Sequence, residues 1–330
     1  MHVLVTGGAG RVGRRLIGDL LARGDAVTSF DLAESPLQHP RLRHVTGTFD
    51  DPAASSTAVE GADVVVHAGA YMSWLASDMR RLHEANVTGT FVLLRAAAQA
   101  KVRRFVFASS GEVSPETAPI FMPITEDHPT QPRSVYGLTK LLGEKMVAFF
   151  ARTTGMETVV LRFSHTQDAA ELLDPDSFFS GPRFYLRARI RQQASFGNQA
   201  IVEALKPHDD GTEKLLISRG IDGTVFRMPI TDTRDIVAGV IAAVDSPNAV
   251  GRTLNLGTEE AIAFDVAVAH LQAVTGLPAV DVRLPIPAVD YVTCRKAAIE
   301  VLGLRPSWTF AAMVEDAAWT ARLNAGGSAG

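Results

Sequence analysis

Short apolar runs alternate with longer amphipathic segments along the first half of the chain. The run "HVLVT" (residues 2–6) has the composition of a buried strand. The segment from Arg11 to Arg23 places Val12, Leu16 and Leu20 on one face, and Gly24 is suited to end a helix there. Further runs predict strands at "AVTSF" (26–30), "RLRHV" (41–45), "ADVVVHA" (62–68), "RRFVFAS" (103–109) and "ETVVLRF" (157–163).

Two more helices separate the later strands. One follows Asn86 ("VTGTFVLLRAAAQAK"), and another runs from about Ser134 to Thr154, with Gly155 as its end. The strands are nearly continuous apolar runs, which is typical of strands buried on both faces of a parallel sheet. Strand–helix alternation implies right-handed crossovers, so the sequence predicts an α/β fold with a Rossmann, doubly wound parallel sheet.

The alternation stops after Phe163. Residues 164–228 are richer in Arg, Gln, Pro and Gly, and they predict loops and short helices. "RTLNLG" (252–257) predicts a strand that returns to the sheet, and a helix follows from Phe264 to Thr275. We therefore expect a dinucleotide-binding domain at 1–163, with 229–260 returning to it, and a smaller C-terminal substrate-binding domain formed by 164–228 and 261–330.

Composition narrows the functional classes. The chain has 330 residues, 46% of them hydrophobic, and a formal net charge of −4, which disfavours nucleic acid as a partner. Its single cysteine excludes a disulfide within the chain. The longest apolar stretch is shorter than the ~20 residues of a membrane span, so we expect a cytoplasmic protein without a membrane partner. His, Asp and Glu lack metal-ligand spacing, and no metal site is expected.

A glycine-rich turn lies between the first strand and the first helix. "TGGAGRVG" spaces Gly7, Gly10 and Gly13 as G-x-x-G-x-x-G, which permits a tight turn and close approach of a pyrophosphate to the helix N-terminus. Asp31 ends the second strand, where a carboxylate accepts hydrogen bonds from ribose hydroxyls and repels a 2′-phosphate. The cofactor prediction is therefore NAD. Arg11 either reaches toward phosphate or is a solvated helix residue.

"YGLTK" places Tyr136 and Lys140 one helical turn apart. A tyrosine hydroxyl has an ordinary pKa of ~10, too high for a base near neutrality. A neighbouring ammonium favours the phenolate, so Lys140 is expected to lower the pKa of Tyr136. Tyr136 then exchanges a proton with a substrate hydroxyl while a nicotinamide exchanges hydride with the same carbon.

The motifs "TGGAGRVG", "HAGA" (67–70), "NVTGT" (86–90), "VFASS" (106–110) and "YGLTK" occur in a familiar order. With them the chain resembles the extended short-chain dehydrogenase/reductases, specifically the NAD-dependent epimerase/dehydratase family of sugar and nucleotide-sugar enzymes. The resemblance is strong over about residues 1–165. It implies a homodimer formed through the Asn86 and Tyr136 helices.

The resemblance also implies site roles. Lys140 holds the nicotinamide ribose, and Ser110, next to Ser109, hydrogen-bonds the substrate oxygen. Small residues after the fourth strand give the ribose access to the backbone, whereas His67 is expected to be a packed strand residue. Asn86 either caps a helix or orders the site. The cofactor contacts expected beyond the glycine turn are Ala68, Gly69, Ala70, Asn86, Val12, Thr48, Phe49, Phe163 and Ser164.

Departures from the family pattern leave the substrate open. Glu112 falls where dehydratases carry a glutamate, but Gly111 replaces the aspartate beside it; a dehydration role and a substrate-binding loop carboxylate both remain. Thr48 replaces an acidic adenine contact, for which Asp50 is an alternative. His165 replaces an asparagine that touches nucleotide-sugars. Arg183 begins an arginine cluster that either clamps a diphosphate or carboxylate or is a solvated basic face.

The sequence therefore predicts an NAD-dependent oxidoreductase or epimerase that transfers hydride at a hydroxyl-bearing carbon. The expected partner is a small sugar-type molecule: a sugar, a sugar acid or a nucleotide-sugar. One alternative is a nucleotide-sugar 4-epimerase or 4,6-dehydratase with tightly held NAD. Another is a non-catalytic protein that senses NAD.

Overall fold

A seven-stranded parallel sheet forms the centre of the larger lobe in the computed structural model, which describes residues 1–327. The strands of the protein are β1 (His2–Thr6), β2 (Ala26–Asp31), β3 (Leu42–Thr46), β4 (Val64–His67), β5 (Arg104–Ser110), β6 (Glu157–Phe163), β7 (His165–Gln167), β8 (Leu215–Arg219), β9 (Arg227–Asp232), β10 (Thr253–Leu256), β11 (Ala261–Ala263) and β12 (Ala279–Arg283). The large sheet has the order β10-β6-β5-β4-β1-β2-β3, which places the carboxyl ends of its strands along one edge.

The helices of the protein cover both faces of this sheet and also build the smaller lobe. They are α1 (Arg11–Arg23), α2 (Pro52–Val59), α3 (Met79–His83), α4 (Gly89–Gln99), α5 (Val135–Thr154), α6 (Ser180–Phe184), α7 (Leu186–Ser195), α8 (Gln199–Leu205), α9 (Thr233–Asp245), α10 (Phe264–Thr275), α11 (Lys296–Leu302) and α12 (Phe310–Gly327). One apolar cluster joins the sheet to α1, α9 and α11, and a second joins it to α2, α4 and α5. This is the doubly wound α/β architecture predicted from the sequence, and the fold class is confirmed.

The remaining elements form a smaller lobe with its own apolar core. It contains a three-stranded sheet of order β11-β9-β7 and a parallel pair of β12 and β8, so 164–228 hold strands where the sequence predicted loops and short helices. Strand β10 returns to the large sheet beside β6, as expected. The division into two domains stays a prediction, and residues 328–330 of the second lie outside the described residues.

Helix α2 was not apparent from apolar periodicity because its sequence is mostly Ala and Ser. Its start carries a different signal: Asp51 accepts hydrogen bonds from the backbone N–H groups of Ala53 and Ala54, and Pro52 occupies the first turn. The start of this helix is therefore specified by its N-terminal cap, because the pattern of apolar residues does not reveal it.

Within residues 1–327, no helix has the combination of length and apolar character needed to cross a bilayer. The same residues contain no group of three or more His, Cys, Asp or Glu side chains arranged to hold a metal ion.

Candidate active site

The glycine turn packs directly against the end of β4. Gly7 has φ +69, and a Cβ there would lie 2.6 Å from the Gly69 Cα. Gly10 precedes the first residue of α1, and no side chain caps that helix N-terminus. The first backbone N–H groups of α1 are therefore left for an anion. These residues fit a dinucleotide pyrophosphate.

Gly13→Ala is expected to damage this turn because a Cβ at Gly13 would lie only 2.0 Å from the Gly7 carbonyl oxygen. The overlap should lower the free energy of unfolding by roughly 1–3 kcal/mol. We expect NAD affinity to fall about tenfold, equivalent to ~1.4 kcal/mol. Denaturant unfolding and NAD titration measure the two effects.

Gly18→Ala is the matched control on the same helix, because a Cβ at Gly18 approaches nothing closer than Leu37 Cδ1 at 4.0 Å. Alanine should stabilise α1 there by about 0.5–1 kcal/mol and leave NAD affinity unchanged. Equal effects of the two substitutions would show that the Gly7–Gly13 contact does not shape the cofactor site.

Asp31, the predicted contact of the adenosine ribose, lies on the side of the glycine turn that faces β2. Asp31 Oδ2 accepts a hydrogen bond from the Ala9 backbone N–H at 3.1 Å, so its carboxylate lies beside the glycine turn. Thr48 is exposed in the turn after β3. Phe49 instead packs its ring against His67, with centroids 5.4 Å apart, and against Gly69. The cofactor roles of Asp31, Thr48 and Phe49 stay predictions.

His67 is a packing residue, as its sequence position indicated. Its ring nitrogens hydrogen-bond the hydroxyls of Thr6 at 2.7 Å and Thr90 at 3.0 Å. Burial, with the charge of Lys140 as a smaller cause, lowers the pKa of His67 to about 3. The neutral imidazole thus holds β1, β4 and α4 together beneath the site.

Tyr136 and Lys140 lie on one face of α5, in the same buried environment. Tyr136 is 6% exposed and Lys140 is 4% exposed. Lys140 Nζ lies 5.8 Å from the Tyr136 ring centroid and donates a hydrogen bond to the Ala108 carbonyl oxygen at 2.8 Å. The helical spacing therefore does bring the phenol and the ammonium together at the carboxyl end of β5.

The predicted lowering of the Tyr136 pKa is wrong for this geometry. Burial raises the pKa of Tyr136 above its ordinary value, and the nearby Glu112 carboxylate adds to the increase. Burial also lowers the pKa of Lys140 to about 8. Tyr136 is consequently a neutral phenol here, because burial removes the water that would stabilise the charged phenolate.

The two serines at the end of β5 make different hydrogen bonds. Ser109 Oγ donates a hydrogen bond to Glu144 at 2.6 Å, and Glu144 also accepts two hydrogen bonds from Arg162. Ser109 is thereby tied into a buried ion pair. Ser110 Oγ accepts a hydrogen bond from the Glu112 backbone N–H at 3.2 Å, which leaves its own proton available to an oxygen atom of a ligand.

A cavity of about 150 Å³, called here the reaction cavity, connects these groups with the first residues of α1, Arg11 and Val12. The predicted site residues in its wall are Arg11, Val12, Ala68, Ala70, Ser110, Glu112, Tyr136, Lys140, Phe163, Ser164 and His165. Gly7, Gly10, Gly13, Asp31, Thr48, Phe49, Gly69, Asn86 and Arg183 are not part of that wall. Arg11 reaches away from the turn, because its guanidinium forms an ion pair with Glu171 at 2.6 Å.

Asn86 does not begin a helix. The chain continues from α3 through a π-helical turn at Glu84–Thr88 into α4, so there is no helix end to cap. The Asn86 side chain donates hydrogen bonds to the Tyr71 carbonyl oxygen and the Thr139 hydroxyl, and accepts one from the Tyr71 N–H. It therefore joins the loop after β4 to α5, next to Tyr136 and Lys140.

A second cavity of about 420 Å³, called here the outer cavity, adjoins the first; both include Trp74, Glu112, Glu116, His165 and Phe179 in their walls. Glu112 accepts hydrogen bonds from Ser134 Oγ and from Trp74 Nε1, the latter at 3.3 Å. Burial raises the pKa of Glu112. Its carboxyl group is thus held between α5 and the loop after β4.

Two of the four clustered arginines enter the outer cavity. Arg183 and Arg189 are in its wall, whereas Arg187 bonds to the Gly211 carbonyl oxygen and Arg191 to Asp176. Arg183 Nη2 donates to His165 Nδ1 at 2.7 Å, which places these two predicted substrate residues in direct contact.

Among the cavity residues that the sequence analysis did not identify are Trp74, Glu116 and Tyr291. Trp74 stacks on Phe178, with ring centroids 5.6 Å apart, and so forms an aromatic wall. Glu116 is 8% exposed and Tyr291 is 1% exposed. No motif marks Tyr291, which arrives from the smaller lobe; Glu116 could have been suspected because it follows the twin serines closely.

Comparison with known proteins places these observations in a family. The model of the NAD dependent epimerase/dehydratase family matches residues 3–257. The chain belongs to that family. The assignment confirms the resemblance and the prediction of NAD as the cofactor.

A solved structure of a short-chain dehydrogenase/reductase superfamily protein from Agrobacterium tumefaciens, with bound NAD, has 50% sequence identity, a TM-score of 0.94 and 99% coverage of both chains. Two curated relatives of this chain match it over about half of its length. A 3-beta-hydroxysteroid dehydrogenase from Mycolicibacterium neoaurum is 35% identical, over 49% of this chain and 46% of its own. A UDP-glucose 4-epimerase from Lactobacillus helveticus is 32% identical, over 52% and 53%. The chain spans about half the length of the curated relatives it matches.

Proposed function

We propose that this family member is an NAD-dependent oxidoreductase that transfers hydride at a hydroxyl-bearing carbon of a sugar or sugar acid. The observation that carries the proposal is the reaction cavity, because Ser110, Tyr136 and Lys140 share its wall with Val12 and Ala68 from the cofactor side. A substrate oxygen and a nicotinamide can approach the same three polar side chains there.

The cofactor would lie along the carboxyl edge of the sheet, with its pyrophosphate at the α1 N-terminus and its adenosine ribose near Asp31. When bound, NAD supplies the hydride acceptor and, in its oxidised form, a positive charge beside the phenol. Lys140 would hydrogen-bond the nicotinamide ribose, and Ala68 and Ala70 would leave room for it. Phe163 and Ser164 contribute the wall at β6.

The substrate oxygen accepts a hydrogen bond from Ser110 and exchanges a proton with Tyr136. In the direction of reduction, the neutral phenol of Tyr136 would donate its proton to the alkoxide that forms at the substrate carbon. In oxidation, Tyr136 would accept the hydroxyl proton only with the positive charge of oxidised NAD beside it, because burial otherwise disfavours the phenolate. Glu112, His165 and Arg183 contact the rest of the substrate from the outer cavity.

The test is a panel of sugars, sugar acids and nucleotide-sugars, incubated with purified protein and NAD while nicotinamide absorbance and product formation are followed. A net gain in absorbance supports the proposed dehydrogenase. A new stereoisomer or dehydrated product without a net gain would replace it with an epimerase or dehydratase. Binding of NAD without any turnover across the panel would contradict the enzymatic assignment and favour an NAD-sensing protein.

We also propose a homodimer through α4 and α5. Four large apolar side chains are exposed on these helices: Phe91, Leu138, Leu142 and Phe149. Burying them between two copies is favourable, because apolar area removed from water contributes about 25 cal/mol per Å². Sedimentation of the protein and of a Phe149→Glu variant tests this; a wild-type monomer would overturn it.

A further inference from the structure

The outer cavity contains two cations without a carboxylate partner. Arg183 Nη1 is buried and makes no hydrogen bond with any residue in 1–327, and the same holds for Arg189 Nε. Within those residues neither guanidinium forms a salt bridge to a carboxylate. Burial lowers the pKa of each to about 10, and the charge of Arg183 adds to the effect on Arg189.

Arg183 is held in place by neutral groups. His165 Nδ1 accepts its Nη2–H at 2.7 Å, and burial keeps the pKa of His165 well below its ordinary value, so this imidazole is uncharged. The guanidinium carbon also lies 5.4 Å from the centroid of the Phe179 ring. These contacts fix the direction of the guanidinium without pairing it to a carboxylate, and Glu116 and Glu112 act on its charge without forming a salt bridge to it. A buried guanidinium without a paired anion is costly, so binding of an anion there is favoured.

Glu116 is an acidic side chain that could pair with Arg183. Its Oε2 lies 3.9 Å from His165 Nε2, and its carboxyl group also faces Arg183, Tyr291 and Glu112. Burial, reinforced by Glu112, raises the pKa of Glu116 to about 8, against the opposing effects of Arg183 and Tyr291. At neutral pH Glu116 is therefore protonated and does not neutralise Arg183.

The absence of a side chain at Gly111 makes room for the Glu116 carboxyl group. A Cβ at Gly111 would lie 2.1 Å from Glu116 Oε1, so any side chain at that position would displace the carboxyl group. Tyr291, from the smaller lobe, faces Glu116 from the other side, and its buried hydroxyl interacts with the Glu116 carboxyl group. A protonated carboxyl, a phenol and two guanidinium groups thus surround one part of the outer cavity.

We propose that Arg183 and Arg189 bind a compact anionic group of the substrate, a carboxylate or a phosphate monoester. The inference rests on the proposed function, since it adds the substrate's anionic end to the hydroxyl end held by Ser110 and Tyr136. Guanidinium groups suit both anions because they offer paired N–H donors. Trp74 and Phe179 line both cavities, so they would contact the carbon skeleton between the two ends.

The test is calorimetric titration of the NAD-saturated protein with three matched sets of ligands: uronates and aldonates, sugar phosphates, and neutral sugars of the same chain length. We expect one anionic set to bind at least about tenfold more tightly than the neutral set, because hydrogen bonds to charged groups contribute ~1.5–3 kcal/mol. The set that binds identifies carboxylate or phosphate. Equal affinity for anionic and neutral sets, or no binding by any anion, would overturn the proposal.

Arg183→Met should remove that preference, reducing anion affinity about 10- to 100-fold while leaving the affinities for NAD and neutral sugars unchanged. Arg183→Lys should restore part of it. Arg187→Met is the matched control, because Arg187 is exposed and bonds to the Gly211 carbonyl oxygen outside the cavity. A loss shared equally by anionic and neutral ligands would show that Arg183 acts only through the structure.

The pH dependence tests Glu116. As the pH rises through about 8, Glu116 loses its proton and competes with the bound anion for Arg183. Wild-type affinity for the anion should then fall by up to about tenfold per pH unit, as for one linked proton. Lys140 titrates in the same range, so neutral sugars provide the reference. Glu116→Gln leaves Lys140 in place and should abolish the fall in anion affinity above pH 8. If the variant and the wild type had the same pH profile, Glu116 would not compete with the anion for Arg183.

These outcomes are separate from those of the proposed function. Anion binding that depends on Arg183, without turnover of any alcohol, would remove the enzymatic assignment and leave the anion site. Turnover of neutral sugars that equals turnover of their acids would leave the enzyme and remove the anion site.

Discussion

Tyr136→Phe is expected to reduce turnover about 10²- to 10⁴-fold, the range attributable to one general acid or base. The substitution removes only the hydroxyl, and the ring stays packed at 6% exposure beside Lys140. NAD affinity should therefore be unchanged. Steady-state turnover with the best substrate of the panel, together with NAD titration, separates the two quantities.

Tyr185→Phe is the matched control for this change. Tyr185 is a buried tyrosine of the smaller lobe, and its hydroxyl donates a hydrogen bond to the Leu172 carbonyl oxygen at 3.0 Å. Its loss should lower the free energy of unfolding by about 0.5–1.5 kcal/mol without reducing turnover. Near-full activity of Tyr136→Phe would remove the proton-transfer role assigned to Tyr136.

Lys140→Met should produce a protein that is more stable at neutral pH and nearly inactive. Burial lowers the pKa of Lys140 from 10.5 to about 8, so the charged form is disfavoured in the folded protein. The cost is full below pH 8 and declines as the pH rises toward 10.5. Methionine removes the charge at similar length, and we expect a gain of about 1–3 kcal/mol at pH 7, less the lost hydrogen bond to Ala108.

Activity should change in the opposite direction, with turnover reduced about 10²-fold because the group beside Tyr136 is lost. Denaturant unfolding at pH 7 and pH 10 measures the stability effect, which should shrink at the higher pH. Lys145→Met, at an exposed position of the same helix, should alter neither quantity. Destabilisation of Lys140→Met by the same amount at both pH values would contradict a buried charge at Lys140.

The sheet was predictable because each strand is specified locally. Runs such as Val64–His67 are apolar throughout, and the glycine turn follows β1 without interruption. The position of Tyr136 and Lys140 beside that turn also followed, since both the carboxyl ends of parallel strands and the start of α5 meet at one edge. These features depend on periodicity and spacing, which a sequence displays directly.

Features that depend on three-dimensional surroundings were not predictable. Asn86 was expected as a possible helix cap, but packing against Tyr71 and Thr139 draws it into a continuous helix through a π-helical turn. The pKa of Tyr136 was expected to fall, yet burial and Glu112 raise it. Burial of an ionisable group is set by the whole fold, so neighbours along the helix do not determine it.

The outer cavity likewise combines features that the sequence displays with features that only the fold determines. The arginine cluster was visible in the sequence, but only the structure separates Arg183 and Arg189, inside the cavity, from Arg187 and Arg191, which bond elsewhere. Tyr291 is more than a hundred residues from Arg183 in the chain and belongs to no motif.

The close contact between Gly111 and Glu116 limits what can replace the glycine. A Cβ at Gly111 would overlap Glu116 Oε1, so any other residue there requires the Glu116 side chain to move. The shape of the outer cavity beside Arg183 therefore depends on a position that carries no side chain of its own.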